Sequence, residues 1–146
     1  MKRILPFACS LLLSFTAISQ NWITNLDQAK QTAAEKQQII VLVFQGSDWC
    51  APCMKLDKEI WSTEAFQQYA TDHYVMLQAD FPKRKSNRLP EAQQKHNDQL
   101  AEKYNSKGYF PHVVVLDAEG KVLGRLGYEK LSPEEYIKKI DQFIKS

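Results

Sequence analysis

Two runs of residues leave this chain few ways to fold. Ile39 to Phe44 reads IIVLVF and Tyr74 to Asp80 reads YVMLQAD. Each has the length of a strand, and the first is β-branched and apolar throughout, with no polar face to offer solvent. Strands of that kind are covered on both sides, so both belong in the interior of a sheet. What surrounds them is helical. From Thr24 to Gln37, Leu26, Ala29 and Ala33 recur on one face behind Thr24 as N-cap, with Asp27 three residues on. Gly46 breaks the first strand. The helix that follows carries Cys53, Leu56 and Ile60 on one face and turns Lys55, Lys58 and Glu59 away. A second helical stretch from Glu64 to Ala70 is capped by Ser62 or Thr63.

After the second strand the chain turns polar from Phe81 to Ser106, with Pro90 placed to open a weakly amphipathic helix that runs through Leu100 and Tyr104. HVVVLDAEGKVLGRLGY then gives two strands with a turn at Ala118 to Gly120. Ser132, Pro133 and Glu135 form a capping box for a last helix whose buried stripe is Tyr136, Ile137, Ile140, Phe143 and Ile144. The order is helix, strand, helix, strand, helix, hairpin, helix. It predicts an α/β fold in which a central mixed sheet, parallel where helices cross over, is flanked by helices and ends in a C-terminal antiparallel hairpin and helix.

A chain of 146 residues, 44% apolar and 25% charged, is enough for one domain. The first nineteen residues stand apart from it. Lys2 and Arg3 precede the apolar run ILPFACSLLLSF, and Ala17 and Ser19 occupy the −3 and −1 positions of a cleavage site before Gln20. That is the pattern of a secretory signal, residues 1–19, ahead of a domain at 20–146. The run is shorter than the roughly twenty residues that span a bilayer as a helix. Cys9 sits too early, behind Pro6-Phe7-Ala8, for a lipoprotein signal. With Lys2 and Arg3 removed the 19 basic residues become 17, equal to the 17 acidic ones. A neutral domain has no long-range field for nucleic acid, and the basic run KRKSNR, Lys83 to Arg88, has no interleaved aromatics, so it reads as a solvated loop. The expected compartment is periplasmic or extracellular.

Cleavage also leaves two cysteines, Cys50 and Cys53, in GSDWCAPC between the first central strand and its helix. Reactive groups of open α/β sheets gather at the carboxyl ends of strands, where the next helix presents unpaired N–H groups and partial positive charge. A thiolate is favoured there, so Cys50 is expected to be an exposed nucleophile with its pKa lowered from about 8.5 towards about 7. Cys53, on the face of Leu56 and Ile60, is expected to be its buried, thiol-like partner, and Pro52 stiffens the turn between them.

WCAPC after an apolar strand, together with Phe110-Pro111 before a later strand, resembles the thioredoxin superfamily; FQGSDWC and GKVLGRLGY are most similar to its small secreted bacterial members. The resemblance spans nearly all of the domain. It implies Cys50 as nucleophile, Cys53 as resolving cysteine, Trp49 as the aromatic flank, and Phe110 and Pro111 as site-shaping residues, with Pro111 the cis-proline facing the pair. It implies a thiol-disulfide oxidoreductase that reduces or isomerises protein disulfides, needs no cofactor, and is a monomer. Its partners are disulfide-bearing client proteins and an unidentified electron-donor thiol protein that a membrane could carry. Two departures stand out. Cytosolic thioredoxins place a buried acid six residues before the nucleophile, where this chain has Phe44, leaving Asp48 and Asp80 as substitutes or as ordinary surface carboxylates. The stretch from Asp80 to Pro111 is also longer than in a minimal thioredoxin, as substrate surface or as tolerated decoration.

Other readings of the cysteines remain. A four-residue loop is a poor staple. A zinc site wants four ligands, and His73, His96 and His112 show no paired spacing, although His112 follows Pro111 and could approach the sulfurs. Copper delivery and a non-catalytic binding module stay open as alternatives. Trp22, Trp61, Tyr69 and Tyr109 read as core or rim aromatics.

Overall fold

The computed structural model describes residues 20–145; the expected signal segment, 1–19, lies outside them. Four strands form the sheet: β1 (Ile39–Gln45), β2 (Tyr74–Asp80), β3 (His112–Leu116) and β4 (Val122–Leu126), in the order β2-β1-β3-β4. β1 runs parallel to β2, from Ile39 opposite Tyr74 to Gln45 opposite Asp80, and antiparallel to β3, which pairs antiparallel with β4. β2, expected in the interior of the sheet, is instead an edge strand, buried because helices cover both its faces and not because strands flank it on both sides. The chain adds one residue of backbone to its free edge, where Ile23 donates to the Met76 carbonyl and accepts from Gln78, both at 2.9 Å.

Alternation along the strands sorts the core into two layers. Val41, Val43, Met76, Val113 and Val115 point to one face. There they meet Leu56 of α2 (Ala51–Leu56), Phe66 of α3 (Glu64–His73), and Tyr136 and Ile140 of α5 (Pro133–Gln142). Ile40, Leu42, Phe44, Leu77, Ala79, Val114 and Leu116 point the other way, onto Ala29 and Ala33 of α1 (Leu26–Lys36) and Leu100 and Tyr104 of α4 (Glu91–Tyr104). The polar segment after β2 is therefore more than decoration. Its helix closes one face of the sheet, and the buried Asn97 ties it to the end of β2 by donating to the Asp80 carbonyl at 2.9 Å.

The helix ends follow side-chain chemistry, with some differences from the sequence reading. Asn25, not Thr24, caps α1, its Oδ1 accepting from the Gln28 N–H at 3.0 Å. Thr63 is the cap of α3, and Pro90 stands one residue before α4 rather than within its first turn. The capping box at Ser132 and Glu135 is present. α5 stops at Gln142, so Phe143 still covers Gly124 while Ile144 leaves the helical phase and is exposed. α2 widens into a π-helical turn, Asp57–Trp61, closed by the Ser62 N–H to the Asp57 carbonyl at 2.8 Å. The β3–β4 turn is held by Asp117, whose Oδ1 accepts from the N–H groups of Glu119 and Lys121. Gly120 takes its left-handed φ of 89° there.

Candidate active site

At the carboxyl end of β1 the chain turns on Gly46, whose carbonyl accepts the Trp49 N–H at 3.3 Å and the Cys50 N–H at 2.9 Å. This turn delivers Cys50 as the N-cap of α2, with Pro52 in the first turn. Cys50 and Cys53 are joined as a disulfide with Cα atoms 5.2 Å apart. The Cys50 sulfur accepts the Cys53 N–H at 3.3 Å, one of the donors a helix start leaves unpaired. The expected contrast between an exposed and a buried cysteine is absent in this oxidised form: Cys50 is 4% exposed and Cys53 5%. Pairing draws the Cys50 sulfur against its partner, and accessibility no longer separates the two.

Trp49 is 37% exposed, yet it is fixed on several sides. Its Nε1–H donates to the Phe81 carbonyl at 2.7 Å, its ring meets Phe110 edge-on with centroids 5.4 Å apart, and the Lys83 ammonium sits 3.9 Å above it. Beneath it lies Gly46, where an added Cβ would overlap the indole. Aromatic contacts continue inward. Phe110 meets Phe81 at 5.5 Å, and Phe81 stacks on fully buried Phe44 at 6.5 Å. The place of the missing acid is thus filled by the inner end of an aromatic run that reaches the rim of the site. The Phe110–Pro111 bond is cis and Pro111 is buried, brought to this rim through the contact of Phe110 with Trp49.

Neither candidate substitute acid is bonded to a cysteine. Asp80 accepts from Ser47, N–H at 2.9 Å and hydroxyl at 2.6 Å. Asp48 accepts from the N–H groups of Lys83 and Arg84, each at 2.9 Å, and from Asn87 at 3.0 Å. The Lys83 N–H and the Asn87 amide lead in pulling its pKa down to about 2. Ser47, Asp48 and Trp49 together clasp residues 80–88 onto the site. Sequence reasoning missed this role; three polar or aromatic residues in a row before Cys50 are its only trace in the sequence.

Beside Cys53 opens a cleft of about 190 Å³ lined also by Trp22, Gln45, Met54, Asp57 and Gln78. Trp22 leans edge-on against Trp61 at 6.2 Å, so one of these expected aromatics borders the site and the other is core. Tyr69 is remote from the cysteines: with Tyr74 it donates to Asp141, at 2.5 and 2.6 Å. Tyr109 is exposed on the rim, next to His112. His112 is half-buried against Phe44 and lies 3.3 Å from Arg125. Burial, then the Arg125 charge, lower its pKa. Among the described residues no three His, Cys, Asp or Glu side chains come together as a metal site.

Comparison with known proteins agrees with this arrangement. A family model described as thioredoxin-like matches residues 21–118. The disulfide bond reductase DsbH of Chlamydia pneumoniae is 36% identical over 118 residues, which is 81% of this chain and 69% of that protein. A solved structure of a DsbH oxidoreductase superposes with a TM-score of 0.81 at 30% identity, covering 97% of this chain and 95% of the other. A thioredoxin from Thermus thermophilus, at 17% identity over 84% of this chain and 85% of its own, shares the fold with a TM-score of 0.61.

Proposed function

This chain belongs to the thioredoxin-like family, and on that premise we propose that it is a thiol-disulfide oxidoreductase that reduces protein disulfides through Cys50 and Cys53. The observation that carries the reading is the disulfide between these residues at the start of α2, with the Cys53 N–H directed at the Cys50 sulfur. In the reduced protein the Cys50 thiolate attacks one sulfur of a client disulfide; that S–S bond breaks, the departing sulfur takes a proton, and Cys50 is left in a mixed disulfide. Cys53 then loses its proton, attacks the Cys50 sulfur and releases the second client thiol. Two electrons have passed to the client, and a donor dithiol returns the pair to its reduced form.

Trp49, Pro52, Phe110 and Pro111 shape the surface on which the client lies, and the alignment of Trp49 with Phe110 supports that role. Lys2, Arg3 and the apolar run behind them support export, placing the domain in the periplasm or outside the cell. Clients and donor are proteins carrying cystines and thiols. The test is reduction of a disulfide-bonded protein such as insulin with dithiothreitol as donor. Turnover by the native protein and its loss in Cys50→Ser are expected; insulin reduced no faster than by dithiothreitol alone would overturn the reading.

A further inference from the structure

Lys83, Arg84, Lys85 and Arg88 follow the rim residue Phe81, and all four side chains are exposed. None makes an ion pair with a carboxylate among the described residues. The backbone beneath them, by contrast, is held firmly: Asp48 binds the N–H groups of Lys83 and Arg84 and the Asn87 amide, and the Phe81 carbonyl binds Trp49. Three consecutive residues before the nucleophile, Ser47, Asp48 and Trp49, are committed to fixing this strip in place. One of its cations, Lys83, lies directly on the Trp49 ring. Residues 20–146 balance 17 basic against 17 acidic residues, so the concentration is local rather than a property of the whole domain. The groove of about 740 Å³ behind the strip is lined by Lys95 as well as by Glu91 and Asp98, so these carboxylates offset only part of its positive charge.

We propose that this clasped strip is a client-recognition surface, selecting polypeptides that carry acidic residues beside the disulfide to be reduced. The proposal deepens the reductase reading and rests on it. A client disulfide that reaches Cys50 must lie along Trp49 and Phe110, which brings the residues flanking its cystine over Lys83 and its neighbours. Acidic residues at those positions find cations carried on a backbone already held in place, and like-charged flanks are repelled. A short strip of four cations on a neutral domain suits such a segment better than a long polyanion or a membrane surface.

The experiment uses the reduced full domain and three synthetic peptides that share one intramolecular disulfide and differ only in flanking residues: glutamate, glutamine or lysine. At about 0.02 M salt the glutamate peptide is expected to be reduced about tenfold faster than the lysine peptide, with the ratio shrinking at about 0.5 M salt. Arg84→Gln/Lys85→Gln/Arg88→Gln should bring the ratio towards one, and Arg84→Glu/Lys85→Glu/Arg88→Glu should reverse it, with circular dichroism checking the fold. Equal rates for the glutamate and lysine peptides, while all three are reduced, would overturn the proposal and leave the reductase reading standing. Failure to reduce any peptide would remove both. Binding to anionic lipid vesicles or to single-stranded nucleic acid without any peptide preference would assign the strip to those partners instead.

Discussion

The Cys50 sulfur and the Cys53 backbone N–H face each other across 3.3 Å at the start of α2. The pair that exchanges the disulfide is also the pair that caps the helix. One donor that would otherwise be left unpaired is aimed at the sulfur we propose as the nucleophile.

It follows that the two thiols differ in acidity even though the oxidised form covers both. The helix start and the Cys53 N–H act on Cys50 alone, and together they favour its thiolate over that of Cys53. Iodoacetamide titrated against pH should label Cys50 first in the reduced protein. Cys53→Ser should accumulate mixed disulfides with clients and Cys50→Ser none. Equal labelling of both sulfurs across the pH range would show that the cap does not direct the chemistry.

Gly46 has no left-handed φ to explain it; its reason is the indole of Trp49, which occupies the space a Cβ would need. Gly46→Ala should push Trp49 off the Phe81 carbonyl and away from Phe110. The substitution is expected to destabilise the fold by about 1 to 3 kcal/mol, as overpacking does. Urea unfolding measures that cost, and insulin reduction should fall with it. Unchanged stability together with unchanged turnover would mean that the position of Trp49 does not matter.

Asp48 should hold the strip at 83–88 more tightly when ionised, because its partners are N–H donors. Its pKa is lowered from an ordinary value near 3.8 to about 2, first by the Lys83 N–H and then by Asn87. A depressed carboxyl contributes stability that is complete above its unfolded pKa and lost as pH falls through the folded one. Asp48→Asn should therefore be less stable than the native protein near pH 6, and the gap should narrow as pH falls from about 4 to about 2. Denaturant midpoints for both proteins across that range decide it. A gap independent of pH would mean that the carboxylate charge is not what holds the loop.

Much of this was legible in the sequence. IIVLVF and YVMLQAD became β1 and β2 because strands buried on both faces leave no alternative packing, and the capping box at Ser132 set α5 by local chemistry alone. The cysteine pair was legible for the same reason, since its place between strand and helix follows from those patterns. Its surroundings were not. Trp49 meets Phe81, and Asp48 meets Lys83 and Arg84, across 32 to 36 positions of sequence only after β1 and β2 align in parallel and bring the residue after each strand to the same end of the sheet. No periodicity records such a meeting. The role of α4 was hidden likewise, because a helix with only Asn97, Leu100 and Tyr104 buried looks like a surface helix until Asn97 is seen to bind the Asp80 carbonyl.

The direction of electron flow follows from what surrounds the Cys50 sulfur. A very stable thiolate makes a pair that gives up its disulfide readily and oxidises others; a thiolate of ordinary stability makes a reductant. Ala51 and Pro52 bring no side-chain donor or charge to the sulfur. The nearby carboxylate, Asp48, is occupied by three N–H donors and lies near the Arg84 charge, so its field at the thiolate is muted. Lys83 rests on the face of Trp49, and among the described residues no side chain of the 83–88 strip is hydrogen-bonded to the sulfur. What remains is the helix start and one N–H, on the order of 1 kcal/mol rather than several. The potential should accordingly lie near about −270 mV, as in a thioredoxin, and not near about −120 mV, where strong oxidants sit. Equilibration against reduced and oxidised dithiothreitol, read by trapping free thiols, measures it. A value above about −180 mV would place the pair among oxidants and isomerases and show that some further group stabilises the thiolate.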